Sequence, residues 1–248
     1  MSAAVPSSAA TTRPAPFRRR PLLAMQALRR LIADPERTED VFVILQHLSG
    51  DSLQRGYNRF AQVQARLPWL GHSMVEVLSD RDRLRGLPAG SLGRAYLEFV
   101  EREDLSADGL VEASEVGRGS EDAAVDGNIW RYGERNRDTH DLWHVLTGYG
   151  RDTFGEACLL GFTYAQTKDL GIGVIAFVGA LKIAKETRRL GVIGAIWQGY
   201  RAGRRAAWLP GENWVDLLSE PLEALRTRLN IASPTRYREV RKLITAPA

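Results

Sequence analysis

Two histidines and two carboxylates within seventeen residues make a demand on the backbone that few folds meet. Residues 140–156 read HDLWHVLTGYGRDTFGE, with His140, Asp141 and His144 in the first five positions and Glu156 at the last. At 100° per residue, with His140 at 0°, His144 falls at about 40° and Asp141 at about 100°, so the three share one arc of a helix. This donor set suits a divalent transition metal, Zn2+ first, with Fe2+ or Mn2+ as alternatives. Glu156 cannot join on a straight helix, where it would lie about 24 Å from His140, against ligand distances near 2 Å. The chain must reverse in between, and Gly148, Gly150 and Gly155 make that sterically cheap. The pattern therefore predicts a helical hairpin holding the ion between its arms, as in carboxylate–histidine sites of helical bundles.

On the same wheel Arg137 falls at about 60°, Gly133 near 20° and Gly148 near 80°. The glycines leave room beside the ion. Arg137, one turn before His140, is placed either to hold an anionic substrate bidentately or to pair with Asp141 or Glu156 and orient a ligand. Leu142 and Leu146 lie opposite and anchor the helix in the core. Of the other histidines, His47 and His72 read as ordinary surface or core residues. Three alternatives compete: a plain amphipathic helix with surface polar groups, a zincin and an HD phosphohydrolase. A zincin needs H-E-x-x-H, whereas Asp141 is one methylene shorter and the third ligand motif is missing. An HD threading through His72, His140-Asp141 and Asp152 or Asp169 leaves His144 and Glu156 without roles.

The rest of the chain reads as helix. An apolar stripe at Leu22, Met25, Leu28 and Ile32 opens the first. Thr38 or Glu39 starts a second, with Val41, Ile44, Leu45 and Leu48 on one face, and Asp51 or Ser52 a third, to about Ala65. A fourth spans Ser73–Asp80, and Ser91 caps Leu92–Glu103. Residues 105–127 read as a short helix and a loop. The metal helix is expected from Asn128 to Thr147, and the next from Asp152 or Thr153 to Lys168. Gly171–Val178 is open to a strand, but helix is favoured because the pattern continues to Thr187. Helices at 189–208, Trp214–Leu229 and Tyr237–Ile244 follow. The expectation is an all-α fold, a single helical domain over residues 22–248, after a disordered basic arm at 1–21.

Six arginines between positions 13 and 30, with no acid before Asp34, exceed the whole-chain charge of +4. The basic character is thus local and argues against a nucleic-acid surface. Such an arm suits an anionic membrane or a protein partner, and it also fits a mitochondrial presequence, though Pro6, Pro14, Pro16 and Pro21 interrupt any helix there. The longest apolar run, Leu170–Leu181, is 12 residues, short of the 18 or more of a spanning helix. Membrane contact would therefore be peripheral. The lone Cys158 excludes a disulfide framework and indicates a reducing compartment. It reads as a buried small hydrophobe rather than a reactive thiol.

H-D-x-x-H, eleven residues, then E, with RYGERNRDTHDLWHVLTGYG around it, LPAGSLGRAYLEFV at 87–100 and PLEALRTRLNI at 221–231, resembles the ubiquinone (coenzyme Q) biosynthesis protein 4 family over residues 22–232. LIADPERTEDVF at 31–42 is similar to bacterial members. The resemblance implies an all-helical protein with zinc at the motif, acting on the ring of a polyprenylated ubiquinone precursor. It implies either the enzyme that removes the ring's C1 carboxylate, in an oxidative variant or not, or a lipid-binding scaffold for the other ubiquinone biosynthesis enzymes. The tail would need an apolar groove, for which residues 170–197 are the candidate, with a buried helix pair as the plainer reading. The location implied is the cytoplasmic face of a bacterial inner membrane, or the matrix side in mitochondria. A homo-oligomer is left open.

Overall fold

The computed structural model describes residues 19–65, 73–103 and 127–245. The expectations for the arm before residue 19, for His72 and for most of 105–127 lie outside the described residues. Helices α1 (Pro21–Ala33), α2 (Thr38–Leu48), α3 (Ser52–Gln64), α4 (Met74–Ser79), α5 (Arg81–Arg85) and α6 (Leu92–Arg102) come first. They are followed by α7 (Gly127–Asp138), α8 (His140–Thr147), α9 (Thr153–Thr167), α10 (Leu170–Thr187), α11 (Gly191–Arg205), α12 (Trp214–Leu217), α13 (Leu222–Arg228) and α14 (Thr235–Thr245). Among the described residues the fold is all-α, with only an isolated bridge between Ser91 and Pro221.

Helix α9 is apolar on most sides and buries Phe154, Cys158, Leu159 and Phe162, which marks it as central. It packs on α10 and α11. Gly199 and Gly203 of α11 lie against the carbonyls of Cys158 and Phe162, so the two backbones approach closely. Leu142 and Leu146 are fully buried and seat α8 on this core, as its periodicity required. Cys158 is also fully buried, and burial pushes its thiol well above the ordinary range, which keeps it protonated and inert.

Several local expectations change. The stripe expected on α1 is shifted: Ala24, Ala27 and Leu28 are buried, while Leu22 and Met25 face outward. Small alanines let α2 pack closely, so the buried face follows them rather than the largest side chains. Ser73–Asp80 is the short α4, and Asp80 caps a further helix, α5, by accepting the Arg83 N–H. The helix expected over Trp214–Leu229 divides at Ser219–Pro221, because Pro221 has no N–H to continue it. There the backbone turns to other partners, with Leu92 N–H donating to the Glu220 carbonyl and Leu222 N–H to that of Gly90. Residues 170–187 form one helix, resolving the strand alternative.

Asp40 joins the first two helices. Its buried carboxylate accepts from Arg30 Nε at 3.0 Å and Arg37 Nε at 2.7 Å. Burial alone would raise its pKa, but the two guanidinium groups hold it below the usual carboxylate range. A carboxylate depressed in the folded state stabilises above its unfolded pKa, and that stability is lost as pH falls through the folded value. Acidification below about pH 4, near the unfolded aspartate pKa, is therefore expected to loosen α1 from α2. Hydrogen exchange should show it as faster exchange of α1 amides, with no such pH step in Asp40→Asn.

Candidate metal centre

Helices α8 and α9 form the hairpin, and the turn between them is fastened at each step. Gly148 ends α8 in the left-handed region, at φ 76°, and its N–H donates to the His144 carbonyl at 2.8 Å, a glycine C-cap. Asp152 caps α9, accepting the Gly155 N–H at 3.0 Å. A Cβ on Gly155 would sit 2.1 Å from the Gly150 carbonyl oxygen, so the arms close this tightly only around glycine. Tyr237 of α14 bridges the turn: its hydroxyl accepts the Gly150 N–H at 3.0 Å and donates to Asp152 Oδ2 at 2.7 Å. Arg226 of α13 donates to the Leu146 and Val145 carbonyls at 2.9 and 2.8 Å. These are end-of-helix carbonyls that α8 cannot pair internally.

This turn carries Glu156, on the first turn of α9, across to the histidines. Glu156 Oε1 lies 3.2 Å from His144 Nε2, and Oε2 lies 3.8 Å from His140 Nε2. Asp141 Oδ1 is 3.4 Å from the other ring nitrogen of His140, Nδ1. Ligand atoms of His140, Asp141 and His144 all lie within 4.8 Å of one another. The hairpin thus sets Glu156 against Nε2 of both histidines, while Asp141 lies on the Nδ1 side of His140.

His144 tests whether a cation fits. Its side chain is fully buried, and Nδ1 lies 3.1 Å from the Tyr149 carbonyl oxygen. A carbonyl only accepts, so Nδ1 carries the proton and, in the neutral ring, Nε2 carries the lone pair. That Nε2 makes no hydrogen bond, although a carboxylate oxygen stands 3.2 Å away. With Nε2 unprotonated, two electron-rich atoms face each other in a buried site, a mismatch that either a proton on Nε2, giving an ion pair, or a metal cation between them removes. His140 and His144 through Nε2, with Glu156, supply a two-histidine, one-carboxylate set. Asp141, beside Nδ1 of His140, is positioned to orient that ring in the manner of carboxylate–histidine–metal triads, or to turn inward as a fourth ligand.

The charges around the point are mutually supporting. Burial would raise both carboxyls, but His144 and His140 bring Glu156 below its ordinary range, and His140 does the same for Asp141. Burial would lower the His140 pKa, and Asp141 and Glu156 reverse that to a net increase.

Other placements differ from expectation. The metal helix is interrupted at Thr139 (φ −90°, ψ 2°), whose hydroxyl donates to the Arg135 carbonyl at 2.9 Å. Beyond that break the wheel no longer holds, and Gly133 lies beside Leu53 of α3. Arg137 meets Asp138, its Nε at 2.8 Å and Nη2 at 2.7 Å from Oδ1, not Asp141 or Glu156. The guanidinium near Glu156 is that of Arg151, 4.0 Å away, inside the very turn the glycines announced. His47 lies on α2, apart from the cluster. His144 also lines a cavity of about 800 Å3. Phe99, whose ring stacks on His144 at 5.7 Å, lines it together with Arg102, Arg238, Arg241 and Lys242. None of these is marked by sequence spacing, since α6 and α14 lie far from α8 along the chain.

The sequence profile described as Coenzyme Q (ubiquinone) biosynthesis protein Coq4 matches residues 20–235. Among curated relatives, "Ubiquinone biosynthesis protein coq4, mitochondrial" of Botryotinia fuckeliana is 33% identical over 162 residues, covering 65% of this chain and 54% of that protein. The Bos taurus "Ubiquinone biosynthesis protein COQ4 homolog, mitochondrial" is 30% identical over 155 residues, 62% of this chain and 56% of its own length. The chain thus matches just over half the length of these relatives. A crystal structure from Nostoc punctiforme shares the fold, with a TM-score of 0.61 at 22% identity, covering 87% of this chain and all of that one. With the profile spanning nearly the whole described structure and the motif residues converging, the chain belongs to the coenzyme Q (ubiquinone) biosynthesis protein Coq4 family.

Proposed function

We propose that this chain catalyses metal-dependent removal of the C1 carboxylate from a polyprenyl-hydroxybenzoate precursor of ubiquinone. The observation that carries the reading is the bare Nε2 of His144 facing Glu156. His140, His144 and Glu156 would hold a divalent ion, Zn2+ first, with Fe2+ or Mn2+ as alternatives, and Asp141 would orient His140 or add a fourth donor. When bound, such an ion supplies Lewis-acid polarisation of the substrate's phenolic or carboxylate oxygen. The Tyr149 carbonyl fixes the tautomer of His144. In the simple reaction the bond from C1 to the carboxyl carbon breaks, its electron pair stays on the ring, carbon dioxide leaves and a proton is added at C1. The oxidative variant needs dioxygen as oxidant, and two histidines with one carboxylate also suit a non-haem iron.

Arg137 is proposed to grip the departing carboxylate by leaving Asp138, against which its side chain is largely buried. Arg137→Lys keeps the charge but loses the planar fork. Turnover is expected to fall by about tenfold, about 1.4 kcal/mol of positioning, with metal content and melting temperature unchanged. Loss of metal together with activity would assign Arg137 to support of the ligands instead.

The substrate would come from, and the product pass to, other ubiquinone biosynthesis enzymes at a membrane surface. That surface would be the cytoplasmic face of a bacterial inner membrane, or the matrix side in a eukaryote. Of residues 170–197, the inward half is core, so only the outward side of α10 and α11 is available to a prenyl tail. Carbon dioxide release from a soluble short-chain precursor, with and without a chelator, tests the reaction. Turnover abolished by chelation and restored by one divalent ion is the expected result. No turnover with any of the three metals would leave a scaffold that presents the precursor to partner enzymes.

A further inference from the structure

Helices α10 and α11 pack against α9 on one side and leave a row of large apolar side chains in water on the other. Phe177 and Leu181 of α10 are 65% and 49% exposed. With Leu170 at 0° they fall at about −20° and 20°, a single stripe along the helix. On α11 Ile193 and Trp197 are 41% and 57% exposed, and Leu190, in the turn between the helices, is 81% exposed. These three fall within about 60° of one another. Leu190 lies in the short turn that joins the two helices. Trp197 stacks on Tyr200 at 5.0 Å, and Tyr200 on Tyr164 of α9 at 5.8 Å. The ring of Tyr164 in turn lies against Gly173 of α10. The aromatic row thus runs from α11 across α9 to α10. The other flank of α11 is taken by α14, through Gly191 beside Val240 and Gly194 beside Arg236.

Charge says what covers this face. Residues 170–205 carry seven lysines and arginines against one carboxylate, Glu186, and Glu186 is paired with Lys182 at 2.8 Å. The rest of the chain is therefore net negative, given a total of +4. Arg188 and Arg189 immediately precede Leu190 at the tip, while Lys185, Arg201 and Arg204 follow the stripes, all exposed. Apolar side chains set among cations that have no carboxylate partner among the described residues are the chemistry of an interfacial helix, which buries its apolar side at the acyl boundary and places basic groups at anionic headgroups. A second copy of this face would set like charges against each other.

We propose that the α10–α11 hairpin is the surface by which this protein docks on an anionic lipid bilayer, Leu190, Phe177 and Trp197 entering first. The proposal does not depend on the reaction at the metal centre. It also moves the membrane contact away from the N-terminal arginines, where the sequence alone placed it.

Flotation of the full chain with phosphatidylcholine vesicles, with or without about 30% phosphatidylglycerol as the anionic lipid, tests it. The wild type should float with the anionic vesicles. Phe177→Asp with Trp197→Asp should lower the bound fraction at least tenfold. Arg188→Ser with Arg189→Ser should weaken binding to anionic vesicles only. All of these side chains are exposed, so circular dichroism should show native melting. Leu190→Asp, in the turn, provides an independent variant should the double substitution fail to fold. Brominated lipid should quench tryptophan emission, and Trp197→Phe should remove that quenching. Unchanged flotation of both Leu190→Asp and the double Asp variant overturns the proposal. So does loss of flotation on Arg13→Gln with Arg18→Gln alone. A dimer in sedimentation velocity that the Asp variants make monomeric, with flotation unaffected, would assign the face to a second copy instead.

Discussion

His144→Ala is expected to strip the divalent ion, from about one per chain to below about a tenth, while the helices survive. Its Nε2 is buried, makes no hydrogen bond and stands 3.2 Å from Glu156 Oε1, and the neighbouring imidazole, His140 at 4.8 Å between ring centroids, is already assigned to the ligand set. Metal affinity in such sites is set by the deprotonated ligands actually present. Elemental analysis of the purified variant beside the wild type, with far-ultraviolet circular dichroism as the folding check, measures both halves. Retention of the ion by a folded His144→Ala protein would remove His144 from the ligand set. Asp141→Asn separates the two placements open to Asp141. An orienting carboxylate costs roughly 10- to 100-fold in metal affinity, so the variant would still load at excess metal. A true ligand would be lost as completely as His144.

Gly155→Ala is expected to have the largest effect on stability. The added methyl would stand 2.1 Å from the Gly150 oxygen, and 2.8 and 2.9 Å from its carbonyl carbon and nitrogen. All three are backbone atoms of a turn held by Tyr237 and Asp152, so no flexible side chain can move aside. The turn must open, at a cost of about 3 kcal/mol or more. For a chain of this size that lowers the melting temperature by roughly 6–12 °C. Because Glu156 is the next residue, metal binding should weaken with it. Gly127→Ala is the control: among the described residues nothing lies within 4 Å of its Cβ position, and melting should hardly change. A Gly155→Ala protein that melts with the wild type would show that the turn is looser than its geometry implies.

What was legible in the sequence was local. The hairpin followed from a spacing that no straight helix satisfies, together with glycines between the donors. Ser91 and Asp152 could be placed as caps because capping is a short-range rule, and both accept the expected N–H groups. The division at Pro221 was also there to be read, since a proline inside a helical pattern ends it. Thr139 was not: neither glycine nor proline marks it, and the break coincides with a hydroxyl-to-carbonyl bond that competes with the helix. The outward turn of Leu22 and Met25 depends on how closely α2 approaches, a tertiary fact. Arg151 was overlooked because the wheel was drawn for one helix, and the residue belongs to the turn. The cations of the cavity beside His144 come from α6 and α14, which no periodicity connects to α8.

The fastening of the hairpin by Arg226 and Tyr237 bears on how the protein is made. Vectorial synthesis delivers His140 through Glu156 long before either fastening residue. Until both have left the ribosome, the last carbonyls of α8 lack the Arg226 guanidinium and the Gly150 N–H lacks its hydroxyl partner. The donors of the proposed site would then sit on a turn that still lacks these fastenings. Any ion the proposed site takes would therefore meet a fixed geometry only once the chain is nearly finished.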